Sequence, residues 1–270
     1  MKRTLLTVLA ALALLFPAPA VLAADKGEAA TELKNLVTKV KTKLQDGSKT
    51  EKALEPELKE FDELLAKHKD EKTDEVAQIL MMKAMLYSQV FKDAKKGKEL
   101  LEQLKKEFPD TEVAASLKKQ EAAEKLKDSL VEGTKFPDFT EQDLAGKPLS
   151  IANYKGKVVL VDFWATWCQP CVRELPNVLA TYGKHHDKGF EVVGISLDQD
   201  EKKLTTFTKD KNMPWPQYFD GKGWGNKLAA KYGVQSIPAT YLLDGDGKII
   251  GKDLRGEDLE QAVAKALAKK

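Results

Sequence analysis

Near Glu132-Gly133-Thr134 the hydrophobic pattern of this chain changes its period, and that change limits the fold more than any other feature. Over residues 31–130 the sequence is rich in Ala, Leu, Lys and Glu. Its apolar residues recur three and four apart, which places them on one face of a helix. Breaks at Asp46-Gly47-Ser48, at residues 69–73, at Gly97 and at Phe108-Pro109-Asp110 divide this stretch into four or five helices. After Phe136, Pro137 and Phe139 short apolar runs bounded by Gly turns take over. Residues 158–165, 190–197, 239–243 and 248–253 read as strands, separated or followed by helices ending near His186, over 200–211, around 224–232 and from Glu257. This alternation predicts an α/β sheet with helices on both faces. Asp244-Gly245-Asp246-Gly247 predicts a hairpin turn, so the sheet is expected to end antiparallel. The chain is therefore expected to form two domains, an all-α one over residues 24–132 and an α/β one over residues 133–270. Its 270 residues, 42% of them hydrophobic, suffice for two cores.

Residues 1–23 read as an export signal. Lys2 and Arg3 precede a short apolar run, and Val21-Leu22-Ala23 offers small residues for cleavage. The run falls short of the ~20 residues a membrane span needs, and Pro17 and Pro19 interrupt its end. An exported protein is expected, in a bacterial periplasm or at an extracytoplasmic face. The 44 basic and 42 acidic side chains leave a net charge of +2 and are mixed along the chain. Nucleic-acid binding is not expected from such a pattern.

In the helical half, Ile79, Leu80, Met81, Met82, Met85, Leu86 and Phe91 make the most apolar helix, expected to be central to the core. Residues 94–116 resemble a single tetratricopeptide-type hairpin, without a second copy at a matching period. His68 stands alone in a charged stretch and is given no role. A partner of this half is an open expectation, since no motif names its chemistry.

The chain has two cysteines, Cys168 and Cys171, two residues apart. A disulfide at this spacing closes almost no loop and removes little unfolded-state entropy, so the pair is there for reactivity. It follows a buried strand and opens a helix. Cys168 therefore meets unpaired amide N–H groups and the positive end of the helix dipole, which favour a thiolate. Cys168 reads as the nucleophile, and Cys171, on the same helix face, as the thiol that resolves a mixed disulfide. Pro170 fits the first helical turn. Haem attachment needs His directly after the second cysteine, where Val172 stands. Structural zinc needs about four ligands, and only the adjacent His185 and His186 are near. No metal and no cofactor is expected.

Asp162 interrupts an otherwise apolar strand, where an ionisable group is costly without a task, and burial should raise its pKa toward neutrality. Glu174 follows Cys171 by three residues on the same helix face. Trp167, directly before Cys168, is expected to shield the disulfide and face a partner, whereas Trp164, Trp215 and Trp224 are assigned to packing.

The segment Val161-Asp162-Phe163-Trp164-Ala165-Thr166-Trp167-Cys168-Gln169-Pro170-Cys171 resembles the active site of the thioredoxin superfamily, and the likeness runs from about Phe136 to the C-terminus. Ile237-Pro238 matches the place where that superfamily keeps a cis-proline facing the cysteines, and Pro176 matches the proline that bends the active-site helix. The export signal, the extra strand and helix over residues 190–211 and the run Cys171-Val172-Arg173-Glu174-Leu175-Pro176 are similar to the TlpA/ResA type of extracytoplasmic thiol-disulfide oxidoreductases. The resemblance implies a thioredoxin-like fold, protein disulfide substrates contacted by Trp167, Ile237 and Pro238, and re-reduction by a membrane donor of the DsbD/CcdA type. Cytochrome c maturation is a client pathway it implies. It also gives Asp162 and Glu174 proton-transfer roles without choosing between them.

Gln169-Pro170 lacks the His that strong oxidants of this fold carry between the cysteines, so a reductase is expected. Two alternatives stand beside this reading. A thiol peroxidase of the same fold needs a hydroxyl residue where Ala165 stands. The other makes the helical half a partner-binding module with an accessory redox domain.

Overall fold

A computed structural model describes residues 27–269, so the expected export signal over residues 1–23 lies outside the described residues. The chain divides into two compact units between Lys118 and Lys119.

The first unit contains α1 (Glu28–Gln45), α2 (Glu55–Lys67), α3 (Asp74–Met85), α4 (Ala94–Glu107) and the start of α5 (Glu112–Ser129). Their starts follow from local chemistry: Thr73 Oγ1 accepts from Val76 N and Asp93 Oδ1 from Lys96 N, each satisfying an orphan amide. The expected central helix is α3, whose Val76, Ala77, Ile79, Leu80 and Ala84 are buried, with Met81 and Met82 at the margin. Gly97 is a correction. It does not break a helix but lies inside α4, where a Cβ would stand 1.9 Å from Ser88 Oγ and 3.1 Å from the Ala84 carbonyl. Glycine there permits close helix packing. The break falls just before α4, where a π-turn over Leu86–Val90 is followed by Lys92 at a φ of 61°.

His68, at the end of α2, is buried. Its Nδ1 lies 2.7 Å from Glu71 Oε1 and its Nε2 2.8 Å from Glu32 Oε2. Glu71 and Glu32 both favour the charged ring and push its pKa up despite the opposing effect of burial. No signal in the sequence marked this pairing, because Glu32 is supplied from 36 residues away.

The second unit takes the rest of α5 and then a small hairpin of β1 (Glu141–Gln142) and β2 (Pro148–Leu149). Its main sheet contains β3 (Val158–Trp164), β4 (Phe190–Ser196), β5 (Gln217–Phe219), β6 (Ala239–Leu243) and β7 (Ile249–Lys252), in the order β5-β4-β3-β6-β7. β3 is central, parallel to β4 and antiparallel to β6. All of β4 and all of β3 except Asp162 is buried, so both faces of the sheet centre are covered. β6 and β7 pair antiparallel through the expected turn, in which Asp244 Oδ1 accepts from Asp246 N and Lys248 N. The remaining helices are α6 (Gln169–His185), α7 (Glu201–Asp210), α8 (Lys227–Lys231) and α9 (Gly256–Leu267). β5 had no counterpart in the sequence reading. It has only three residues and follows Pro216, yet Gly194 of β4 pairs with its Gln217. The fold is that of an N-terminal helical region and a thioredoxin-like domain with a mixed sheet.

Candidate active site

The polypeptide leaves β3 at Trp164, turns through Ala165, Thr166 and Trp167, and enters α6 with Cys168 as its N-cap. The turn is fixed from below. Thr166 donates its backbone N–H (3.0 Å) and its hydroxyl (2.6 Å) to the carboxylate of Asp198, which also accepts from Ser196 Oγ at 2.8 Å. Pro170 occupies the first turn of α6 and Pro176 lies inside the helix. Cys168 and Cys171 form a disulfide with an S–S distance of 2.01 Å and Cα atoms 5.3 Å apart. The Cys171 amide N–H points at Cys168 Sγ, 3.2 Å away, so a free helix-end donor faces the first sulfur. Trp167 is 49% exposed beside it, while Trp164 is buried and donates its indole N–H to Gln217 Oε1.

Behind the disulfide, Asp162, Cys171, Glu174, Pro238, Thr240 and Arg255 line one small cavity, closed by apolar side chains of β3, α6 and α9. Asp162 arrives on the central strand, paired with Gly194 on one side and Thr240 on the other. Burial pushes its carboxyl up to about 7, Arg255 opposes the rise and Glu174 adds to it. A carboxyl poised there holds or releases a proton near neutral pH. Glu174 Oε1 accepts from Gly256 N at 2.8 Å, capping the start of α9, and its Oε2 accepts from Asn177 Nδ2 at 3.2 Å. The Ile237–Pro238 peptide bond is cis, both residues are half-buried, and Pro238 shares the cavity with Cys171.

The cavity thus brings together Cys171, Asp162, Glu174 and Pro238, four of the residues singled out from the sequence. Arg255 was missed. Its Nη1 donates to Thr240 Oγ1 (2.8 Å) and to the Leu254 carbonyl (2.7 Å), and its Nη2 donates to the Pro238 carbonyl (3.0 Å). One guanidinium therefore holds the proline loop and places a positive charge toward Asp162. Asp198 was missed as well, since it reaches the cysteine turn only through the pairing of β4 with β3. Trp215 is buried, as assigned, but Trp224 is a correction. It is 52% exposed, with its ring centroid 6.1 Å from that of Trp167. The glycines on either side of it hold a surface turn rather than a core element. His185 is a buried packing residue whose Nε2 lies 2.8 Å from Glu260. Among the described residues no group of three or more His, Cys, Asp or Glu side chains is placed to hold a metal ion.

A strand, a tightly held turn and a helix N-terminus that carries a Cys-X-X-Cys disulfide opposite a cis-proline define a thioredoxin-fold redox protein. Comparison with known proteins narrows that class. Residues 133–252 match the AhpC/TSA family. The thiol-disulfide oxidoreductase ResA of Bacillus thuringiensis subsp. konkukian is 33% identical over 137 residues, covering 51% of this chain and 77% of that protein. The thioredoxin-like protein YneN of Bacillus subtilis is 38% identical over 121 residues, covering 44% of this chain and 68% of that one. A solved thioredoxin domain of a thiol-disulfide oxidoreductase from Bacteroides vulgatus is 37% identical, spans 50% of this chain and 97% of its own, and superposes with a TM-score of 0.47. The chain belongs to the ResA-type thiol-disulfide oxidoreductases, and it carries an additional helical region ahead of the part those relatives share.

Proposed function

We propose that this protein is an extracytoplasmic disulfide reductase acting on exported proteins, with Cys168 as the attacking thiol and Cys171 as the resolving thiol. The observation that carries the reading is the Cys171 amide aimed at Cys168 Sγ at the start of α6. In the cycle, the Cys168 thiolate attacks a substrate disulfide, forms a mixed disulfide and expels one substrate thiolate, which takes a proton from solvent. Cys171 then gives its proton to Asp162 or Glu174, attacks Cys168 Sγ and expels the second substrate thiolate. The substrate leaves as a dithiol, and the enzyme holds the Cys168–Cys171 disulfide. A membrane donor of the DsbD/CcdA type reverses the exchange and is itself oxidised to a disulfide. Thiol exchange of this kind needs no metal or other cofactor.

Export through cleavage of residues 1–23, domain limits at 24–132 and 133–270, and a client among the proteins of cytochrome c maturation complete the proposal. Trp167, Ile237 and Pro238 are the contacts assigned to the substrate chain. Replacing Cys171 by Ser tests the reading most economically. The variant should accumulate mixed disulfides through Cys168, which mass spectrometry of captured partners identifies; an absence of Cys168 adducts in cells that hold the variant overturns it. Direction is tested separately. Without a cationic residue between the cysteines, the reduction potential should lie near the roughly −270 mV of thioredoxin, and a value near the roughly −120 mV of a disulfide-forming oxidant contradicts a reductase.

A further inference from the structure

Two indoles stand half exposed beside the reactive disulfide, Trp167 at 49% and Trp224 at 52%, with ring centroids 6.1 Å apart and planes inclined by 58°. Neither fills the core, and together they present adjoining aromatic surface to solvent beside the disulfide. Two separately braced turns present them. Trp167 follows Thr166, whose N–H and hydroxyl are bound by Asp198. Trp224 sits between Asp220 and Asn226. Asp220 accepts from the N–H groups of Lys222 and Lys227, and Asn226 Nδ2 donates both to Asp220 Oδ1 and to the Ser196 carbonyl. Gly223, at a φ of 55°, makes the turn possible.

Both braces converge on Ser196, the last residue of β4. Its hydroxyl bonds Asp198 on the Trp167 side, and its carbonyl bonds Asn226 on the Trp224 side. The turns that carry the two indoles are therefore held in place before any ligand arrives, so binding against them orders little main chain. Trp167 is covalently next to Cys168, so a polypeptide whose sulfur bonds Cys168 Sγ comes to lie beside it, and Trp224 adjoins it.

We propose that Trp167 and Trp224 form an aromatic seat for the polypeptide that carries the substrate disulfide, and that the enzyme selects disulfides whose attacked cysteine is flanked by an aromatic or large aliphatic side chain. The inference rests on the assignment of Cys168 as nucleophile and goes beyond it by naming the class of substrate.

Two synthetic peptides test it, each with one intramolecular disulfide, identical except for Phe or Ser beside the attacked cysteine. Hydroxyethyl disulfide, which has no such neighbour, serves as a third substrate for the full-length protein. The unaltered enzyme should favour the Phe peptide over the Ser peptide by about tenfold in kcat/KM, mostly through KM, as is usual for a buried aromatic contact. Trp224→Ala should bring that ratio close to one, and Trp224→Phe should keep most of it. A ratio near one in the unaltered enzyme, or a ratio that survives Trp224→Ala, overturns the seat while leaving the role of Cys168 intact. If the unaltered enzyme reduces none of the three substrates, the assignment of Cys168 fails, and the seat fails with it.

Discussion

Each unit of this molecule draws an ionisable side chain away from water, and the two are treated in opposite ways. His68, in the helical unit, has both ring nitrogens matched to carboxylates, and its surroundings favour the charged form. Asp162, on the central strand of the redox unit, is desolvated, and its surroundings favour the neutral form up to about pH 7. A buried charge that serves the fold is paired and satisfied. The one that lines the cavity behind the reactive disulfide is left close to its switching point. The contrast extends to the aromatics: the large side chains of the first unit pack into its core, whereas Trp167 and Trp224 stand out into solvent.

Three substitutions bear on this contrast, in order of expected effect. Leu36→Ala empties a fully buried site in α1 and should cost about 3 kcal/mol in urea unfolding, with no dependence on pH, as an apolar packing site requires. A loss under about 1 kcal/mol would mean the helical core is loosely packed.

Asp162→Asn should act in the opposite direction. The folded-state pKa of Asp162 is raised from the ordinary 3.8 to about 7, so in that interval the unfolded chain ionises and the folded one does not. Stability therefore falls as pH rises through the window, and the loss is complete above it. The Asn variant should be more stable than the parent by about 2 kcal/mol near pH 8 and equal to it near pH 4. If the parent is the more stable near pH 8, Asp162 is a paired structural acid and the contrast with His68 disappears.

His68→Gln should give the smallest effect. Because its folded-state pKa is raised above 6.5, the stability it contributes is fully present below that value and is lost as pH rises through the folded-state pKa. The unfolding midpoint should drop below about pH 6 and move little in alkali. The reverse order would show that the ring is buried neutral.

The sequence made the broad plan legible because it depends on local pattern. Apolar spacing located the helices of the first unit, and the switch near Gly133 marked where strands begin. The Cys-X-X-Cys step between strand and helix, with Pro238 ahead of a later strand, pointed to the site. What escaped depended on contacts between distant residues. Gly97 looked like a helix break because its reason for being small is Ser88 on a neighbouring segment. β5 is too short to show a period and takes its form from β4. Nothing local marks Arg255 or Asp198, because only the sheet carries them to the cysteine turn and its cavity. Trp224 looked like core because tryptophan usually is, and only the braced turn beneath it keeps it in solvent.

The proposed attack by Cys168 requires that the start of α6 favour its thiolate over that of Cys171. Alkylation of the reduced protein by iodoacetamide across a range of pH, with the modified cysteine located by mass spectrometry, tests this directly. Cys168 should react first, with an apparent pKa well below the roughly 8.5 of free cysteine. First reaction at Cys171, or an ordinary pKa at Cys168, would contradict the account.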